Sequence, residues 1–212
     1  MNRMLYLQLS TLFFLQMYIW GSWYVTTGTY LLQTAGFSGR EVGLIYTTTA
    51  LAATMAPFLL GVVADRFLAT ERLLSLLHGA GGLLMIAISF LDSFALFFPV
   101  LILYSLLYMP TFALTSALCF HNLQHGASDF PRVRVWGTVG WIAAGLVISF
   151  YDLEPTAAPM RISAATSLLT SAYCLTLPHT PPQPPVGKRS LKDFLGLEVL
   201  ALLRRPSFAV LI

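Results

Sequence analysis

Long apolar stretches, separated by short clusters of charged residues, dominate the chain. Six intervals of 17 to 36 residues contain no Asp, Glu, Lys or Arg. A helix needs about 20 apolar residues to cross the hydrocarbon core of a bilayer. The pattern therefore predicts an all-α integral membrane protein with six spans, near residues 5–34, 41–64, 73–91, 95–121, 132–151 and 160–178.

The region after the sixth span has a different composition. HTPPQPPVGKRSLKD (His179 to Asp193) is too polar and too rich in proline to cross a membrane, and SFAVLI at the C-terminus has the composition of a seventh helix. We expect a transmembrane bundle over residues 1–178, a cytoplasmic linker over 179–205 and the start of a truncated helix over 206–212. Because the chain stops inside that helix, we expect a fragment of a protein about twice as long, with pairing of two copies as the alternative.

Composition supports a lipid environment for most of the chain. The 212 residues are 57% hydrophobic and 10% charged, whereas soluble domains carry about 25% charged residues. A soluble fold of this size has too large a surface to bury so much apolar area. Cys119 and Cys174 both lie in apolar segments, so we interpret them as small core residues. Nothing in the sequence predicts a disulfide, a metal site or a cofactor.

Lys and Arg fall unevenly on the two sides of the predicted membrane. With a cytoplasmic N-terminus, ten basic residues lie on the cytoplasmic side and two, Arg40 and Arg161, lie on the other. Short cytoplasmic loops are enriched in basic residues, so this asymmetry predicts a cytoplasmic N-terminus. The net charge of +3 says less about function than the positions of the charges do. It does not predict a nucleic-acid partner.

Three predicted spans carry polar and aromatic side chains at the i, i+4, i+7 spacing that places residues on one face of a helix. Three such faces predict a bundle that lines a wet, aromatic-walled cavity, since a span that only anchors would be apolar all round. An aromatic belt at the membrane interface is the alternative explanation for the tryptophans of the first span. The residues are Gln16, Trp20, Trp23 and Thr27; Tyr104, Tyr108, Thr111 and Thr115; and Arg134, Thr138 and Trp141.

The fifth span begins with two arginines, although charge inside hydrocarbon is costly. We interpret Arg132 as an anchor whose guanidinium reaches the interface. For Arg134 we favour a role in substrate recognition, with anchoring as the alternative, because it lies only about one turn inside Pro131. A strip of small residues beside Arg134 predicts close packing against a neighbouring helix. The strip consists of Val133, Gly137, Gly140 and Ala144.

The loop GVVADRFLATERLL, between the second and third spans, resembles the loop signature of the major facilitator superfamily. That signature places a glycine before an Asp-Arg pair and adds further basic residues. Leu68 stands where the signature usually has a glycine, and Glu71 interrupts the basic cluster. The resemblance implies the six-helix N-terminal bundle of a two-bundle transporter. The matching residues, which we expect to act as a conformational loop, are Gly61, Asp65, Arg66 and Arg72.

Four further segments, FLQMYIWGSW, YMPT, FPRVRVWGTVGW and LTLPHTP, are similar to the bacterial nucleoside–proton symporters of that superfamily. The resemblance implies proton-coupled nucleoside uptake across the bacterial inner membrane by alternating access. It also implies substrate contacts at Arg134, Thr138 and Trp141. These suit a nucleoside, since an arginine donates through a fixed fork, a threonine donates and accepts, and an indole stacks on a flat base. From the polar faces we add Gln16, Trp20 and Tyr108 to the predicted substrate site.

Proton coupling requires a titratable group on the transport path. All nine acidic residues lie in loops or near span ends, so the coupling carboxylates that the resemblance implies are expected beyond Ile212. His78 and His121 lie within or beside spans, but a lone membrane histidine more often packs or forms a hydrogen bond. We therefore hypothesise that the 212-residue chain alone does not complete a symport cycle. Accumulation of uridine by this chain under a proton gradient would refute that hypothesis.

Two other functions stay open at this point. One is transport of another small polar solute, such as a sugar, and the other is a non-transporting membrane scaffold. A scaffold would have no reason to keep three polar helix faces. No nucleophile elbow or His/Asp cluster is present, so no enzyme is predicted. The expected partners are a nucleoside, protons, the lipid bilayer and the missing C-terminal half.

Overall fold

The structure is a computed structural model that describes residues 2–63 and 68–182. Regular secondary structure in these residues is entirely α-helical, which confirms the predicted fold class. Asp65, Arg66 and all but the first residues of the predicted linker lie outside the described residues, as does the predicted start of a seventh span. The helices are α1 (Arg3–Trp23), α2 (Thr27–Gln33), α3 (Gly39–Val63), α4 (Thr70–Ile88), α5 (Phe94–Asn122), α6 (Gly126–Phe150) and α7 (Ala158–Cys174).

The first predicted span is divided into two helices, so the prediction of one continuous helix over residues 5–34 was wrong. The turn between α1 and α2 is bridged by the Tyr46 side chain of α3. Its hydroxyl donates to the Tyr24 carbonyl oxygen at 3.0 Å and accepts from the Gly28 N–H at 3.0 Å. The hydroxyls of Thr26 and Thr27 also bond to carbonyl oxygens of the last turn of α1. These bonds satisfy backbone groups that the interrupted helix leaves free.

The fifth predicted span begins earlier than expected. Its helix, α6, starts at Gly126 rather than near residue 132, and hydrogen bonds from the backbone N–H groups of Ser128 and Asp129 to the His125 carbonyl oxygen close its first turn. Pro131 therefore lies in the second turn, where its missing N–H removes one helical hydrogen bond. Arg134 accordingly lies in the third turn of α6 and not near its start.

The described helices pack as a bundle, and α5 has a long run of buried residues. α1 packs along α6 and α7, α4 packs against α5 and α7, and α3 packs against α5. One cluster of buried apolar residues surrounds Trp23 and Tyr104, and a second surrounds Leu12 and Leu118. Residues of α1, α4, α5 and α7 contribute to both clusters.

The small-residue strip of α6 packs directly against α1, as the sequence predicts. A Cβ added at Gly140 would overlap the Phe14 carbonyl oxygen and lie 2.9 Å from the Phe14 carbonyl carbon. A Cβ added at Gly21 of α1 would lie 3.1 Å from the Trp141 carbonyl oxygen and 3.3 Å from Ala144 Cβ. Both neighbours at Gly140 are backbone atoms, so only glycine permits this distance between the two helices.

Length and composition alone allow three of the described helical segments to cross a membrane. They are Thr70–Ile88, Phe94–Asn122 and Ser128–Phe150. Large apolar side chains on the outer surface of these helices, such as Leu83, Leu103 and Leu146, are exposed. Lipid tails would cover such side chains in a bilayer.

Candidate functional site

Arg134, Thr138 and Trp141 lie together on one side of α6, and we call this surface the open face. Arg134 and Thr138 are exposed, and Trp141 is partly buried. The Arg134 guanidinium carbon lies 5.6 Å from the centre of the Phe13 ring of α1, a cation–π contact that supports the side chain. The spacing of three and four residues on one helix produces this surface, as the sequence predicts.

Trp20 connects the open face to the aromatic interior. Its ring packs edge-on against Trp141 of α6 with centroids 5.5 Å apart, and against Phe112 of α5 with centroids 5.0 Å apart. The ring of Tyr24, the residue that follows α1, has its centroid 5.3 Å from that of Trp20. Edge contacts of this kind fix the plane of an indole. The Trp20 ring thereby supports Trp141 at the edge of the open face.

Gln16 and Tyr108, which the sequence places in the same predicted site, are buried inside the bundle. Each is 1% exposed. The Gln16 side-chain nitrogen donates to Thr111 Oγ1 at 2.7 Å, and the Gln16 side-chain oxygen accepts from His78 Nε2 at 3.0 Å. The Tyr108 hydroxyl donates to the Gln16 backbone carbonyl oxygen. All these polar groups are therefore engaged within the protein.

The hydrogen bonds continue through His78 to α7. Ser167 Oγ lies 3.4 Å from His78 Nδ1 and donates to the His78 carbonyl oxygen at 3.0 Å. Because the Gln16 oxygen can only accept, His78 Nε2 carries a proton, and in the neutral imidazole Nδ1 is then an acceptor. This set connects α1, α4, α5 and α7, and we call it the closed network. It consists of Gln16, His78, Tyr108, Thr111 and Ser167.

Part of the predicted conformational loop can be located. Gly61 lies in the last turn of α3, and Arg72 is exposed in the first turn of α4. Their expected partners Asp65 and Arg66 lie outside the described residues. The predicted action of this loop therefore stays a prediction.

A contact that the sequence did not predict joins α4 to the segment after α7. Glu71 is 5% exposed, and its carboxylate accepts from the Thr180 N–H at 3.0 Å and from His179 Nδ1 at 2.8 Å. Thr180 also accepts from the Asn122 side chain of α5 at 3.0 Å. Glu71, which interrupts the basic cluster in the sequence, therefore bonds to the segment after α7. Together these hydrogen bonds connect the segment after α7 to the start of α4 and to the end of α5.

Within residues 2–63 and 68–182, no group of three or more His, Cys, Asp or Glu side chains is arranged to hold a metal ion. Cys119 and Cys174 are both buried and free. The chemistry available at the open face is therefore hydrogen bonding by a guanidinium and a hydroxyl, together with aromatic stacking.

Comparison with known proteins identifies related transporters. The family model described as Nucleoside H+ symporter matches residues 3–212. The chain is 42% identical to YegT of Escherichia coli (strain K12) over 210 residues, which is 96% of this chain and 49% of that protein. It is 37% identical to the xanthosine permease of the same organism over 209 residues, 96% of this chain and 50% of the permease.

The fold is also found in a solved structure. The crystal structure of the nucleoside transporter NupG matches with a TM-score of 0.87 at 34% identity, covering all of this chain and 53% of NupG. A second NupG structure, of a mutant, matches with a TM-score of 0.90. The chain thus spans about half the length of the relatives that it matches. The six-helix bundle corresponds to one half of such a transporter.

Proposed function

The chain belongs to the nucleoside H+ symporter family, a family of membrane transporters and not of enzymes, and on that premise we propose that it forms the N-terminal half of a proton-coupled nucleoside uptake system. It is a multi-pass membrane protein with the fold of the major facilitator superfamily. We place its N-terminus in the cytoplasm and its location in the bacterial inner membrane, because ten of its twelve basic residues would then lie on the cytoplasmic side.

The observation that carries this proposal is the open face of α6. A nucleoside is uncharged and has a flat base and a hydroxylated ribose. Trp141 can stack on the base, and such stacking contributes about 1–3 kcal/mol per base in nucleic-acid complexes. The Arg134 guanidinium and the Thr138 hydroxyl can bond to base carbonyls or ribose hydroxyls. All three side chains lie on one surface, and Arg134 and Thr138 remain exposed.

We assign the residues of the closed network a different role. Gln16 and Tyr108 are fully buried and their polar groups already have partners. Substrate could reach them only if those hydrogen bonds were broken, which would leave buried polar groups unsatisfied. We infer that they hold α1 at the depth that places Trp20 beside Trp141, and that they do not contact substrate.

The proton-coupling groups are proposed to lie in the remainder of the complete protein. Among the described residues, the two carboxylates with the least exposure are Glu71 and Asp129, which lie in the first turns of α4 and α6 and not at mid-membrane depth. His78 lies deep in α4, where its Nε2 donates to Gln16 and its Nδ1 lies 3.4 Å from Ser167 Oγ, so its ring is enclosed by the closed network. The described residues therefore provide substrate contacts and leave coupling to the other half.

Uptake by the complete protein encoded in this reading frame tests the proposal. Cells expressing it should accumulate radiolabelled uridine or adenosine, and a protonophore should abolish the accumulation. Arg134→Ala should lower uptake by at least about tenfold, since a charge-assisted hydrogen bond lost from a substrate site costs about 1.5–3 kcal/mol. Arg40→Ala, which removes an exposed arginine at the start of α3, is the matched control.

Equal uptake by the wild type and Arg134→Ala, with equal amounts of both in the membrane, would remove Arg134 from the substrate site. Uptake of a sugar but of no nucleoside would leave the fold standing and overturn the proposed substrate class. Uptake that resists a protonophore would overturn the proton coupling alone.

A further inference from the structure

A cavity of about 460 Å³, largely open to the outside, lies between the N-terminal ends of α1 and α6. It is lined by Arg3 and Tyr6 of α1 and by Asp129 and Arg132 of α6. Arg132 precedes Arg134 by two residues, which rotates its side chain by roughly 200° around the helix. The cavity therefore lies on a different side of α6 from the open face, and nothing proposed above uses it.

The cavity has an excess of positive charge. Arg3 and Arg132 are exposed, and no carboxylate of the described part of the chain lies within 4.0 Å of either guanidinium. Asp129 is 8% exposed and offsets one of the two positive charges. Because α1 and α6 both present their N-terminal ends here, their helix dipoles add to the positive potential. The balance suits a ligand with a single negative charge.

Tyr6 adds a hydroxyl donor to the two cations. Its hydroxyl oxygen accepts a hydrogen bond from Trp136 Nε1 at 2.9 Å. A phenol has one proton to donate, and no acceptor for it is found among the residues that the structure describes. The Tyr6 proton is therefore available to a ligand oxygen in the cavity.

An apolar strip continues from the cavity along the membrane span. Arg132, Trp136 and Val139 follow one another at i, i+4 and i+7 on α6, and Trp136 and Val139 are 39% and 41% exposed. Leu7 of α1, one turn beyond Arg3, is 54% exposed. The order of cation, indole and aliphatic side chain matches the order of headgroup, interface and acyl chain in a phospholipid.

We propose that this cavity binds the phosphodiester headgroup of an anionic phospholipid, with Arg3, Arg132 and Tyr6 as its donors. Basic pockets between transmembrane helices on the cytoplasmic side hold headgroups of this type in other membrane proteins. A lipid of net charge −1 balances the two arginines and Asp129. A zwitterionic lipid would bring an ammonium group towards two guanidinium groups and binds more weakly. The acyl chains lie along Trp136 and Val139.

Native mass spectrometry of the complete, purified protein tests the proposal, with phosphatidylglycerol as the probe. The double variant Arg3→Gln with Arg132→Gln should weaken phosphatidylglycerol binding by at least about tenfold, because each arginine donates a charge-assisted hydrogen bond. Tyr6→Phe, which removes the hydroxyl and its bond to Trp136 but leaves the charge unchanged, should weaken it by about threefold. Arg40→Gln, which removes an exposed arginine from the opposite side, should leave the affinity unchanged.

The comparison probes separate the possible ligands. Phosphatidylethanolamine should bind the wild type more weakly than phosphatidylglycerol, and millimolar inorganic phosphate should not displace the lipid. Displacement by phosphate would overturn the lipid assignment in favour of a free anion. Equal weakening by Arg40→Gln would show unspecific attraction and overturn the site. Unchanged binding in both the arginine double variant and Tyr6→Phe would also overturn it, as expected if another part of the complete protein fills the cavity.

Discussion

The open face and the closed network have the same helical spacing in the sequence but opposite environments in the fold. Arg134 and Thr138 of the open face are exposed, whereas Gln16 and Thr111 of the closed network are at most 1% exposed and bond to each other. A polar stripe on a membrane helix therefore has two uses. It can present hydrogen-bonding groups to a substrate, or it can bond to polar stripes on neighbouring helices and hold a bundle together.

The largest expected effect concerns the contact that holds the open face against α1. Gly140→Ala should lower the free energy of unfolding of the complete protein by about 2–3 kcal/mol, because the added methyl overlaps the Phe14 backbone and cannot be relieved by a side-chain rotation. Thermal unfolding in detergent measures the change. Gly145→Ala on the same helix is the control, since its Cβ would meet nothing within 4 Å. Equal stability of the two variants would contradict the close packing of α1 and α6.

An intermediate effect is expected when the same substitution is made in both regions. Thr111→Val in the closed network should destabilise the protein by about 1 kcal/mol, because it leaves the Gln16 side-chain N–H without its acceptor. Thr138→Val should leave stability within about 0.3 kcal/mol, since its side chain is exposed, and should weaken nucleoside binding by about threefold to tenfold. Parallel unfolding and binding measurements on the two variants check this. Identical responses would remove the distinction between the regions.

The smallest expected effect concerns the aromatic edge of the open face. Trp141→Phe should change nucleoside affinity by less than about threefold, because a phenyl ring still stacks on a base although it offers less area. The edge contact with Trp20 should also survive, since it needs only an aromatic ring. Equilibrium binding of uridine measures the change. A loss of more than about thirtyfold would indicate that the indole N–H bonds to the substrate and that stacking is not its main role.

The six-helix fold could be predicted from the charge-free intervals, because a charged side chain is costly wherever a helix crosses lipid. The break in the first span at Tyr24 could not be predicted in this way, since no charged residue or proline marks it. Its weak local signal is the run Val25, Thr26, Thr27 and Gly28, which has low helix propensity. The partner that makes the break stable, Tyr46, comes from another helix. Propensity along one segment contains no information about such a partner.

The candidate site could be predicted only in part, again because the deciding partners come from other helices. Periodicity placed Gln16 and Arg134 on helix faces, but it cannot tell whether a face points inward. That depends on whether a neighbouring helix supplies partners, as His78 and Thr111 do for Gln16. The small-residue strip was more informative, because Gly140 can only serve close approach. The small-residue strip identified the side of α6 that packs against α1. It therefore also identified the neighbouring sides of α6.

The most direct test of this account is a crossed measurement on the complete protein, with the uridine dissociation constant and the unfolding temperature determined for Arg134→Ala and Gln16→Leu. Arg134→Ala should weaken binding by at least about tenfold at an unchanged unfolding temperature. Gln16→Leu should lower the unfolding temperature and leave the dissociation constant within about threefold, because it removes buried hydrogen bonds and no substrate contact. In the opposite result, Gln16→Leu would abolish binding at full stability and Arg134→Ala would bind normally. That result would contradict the separation of the open face from the closed network.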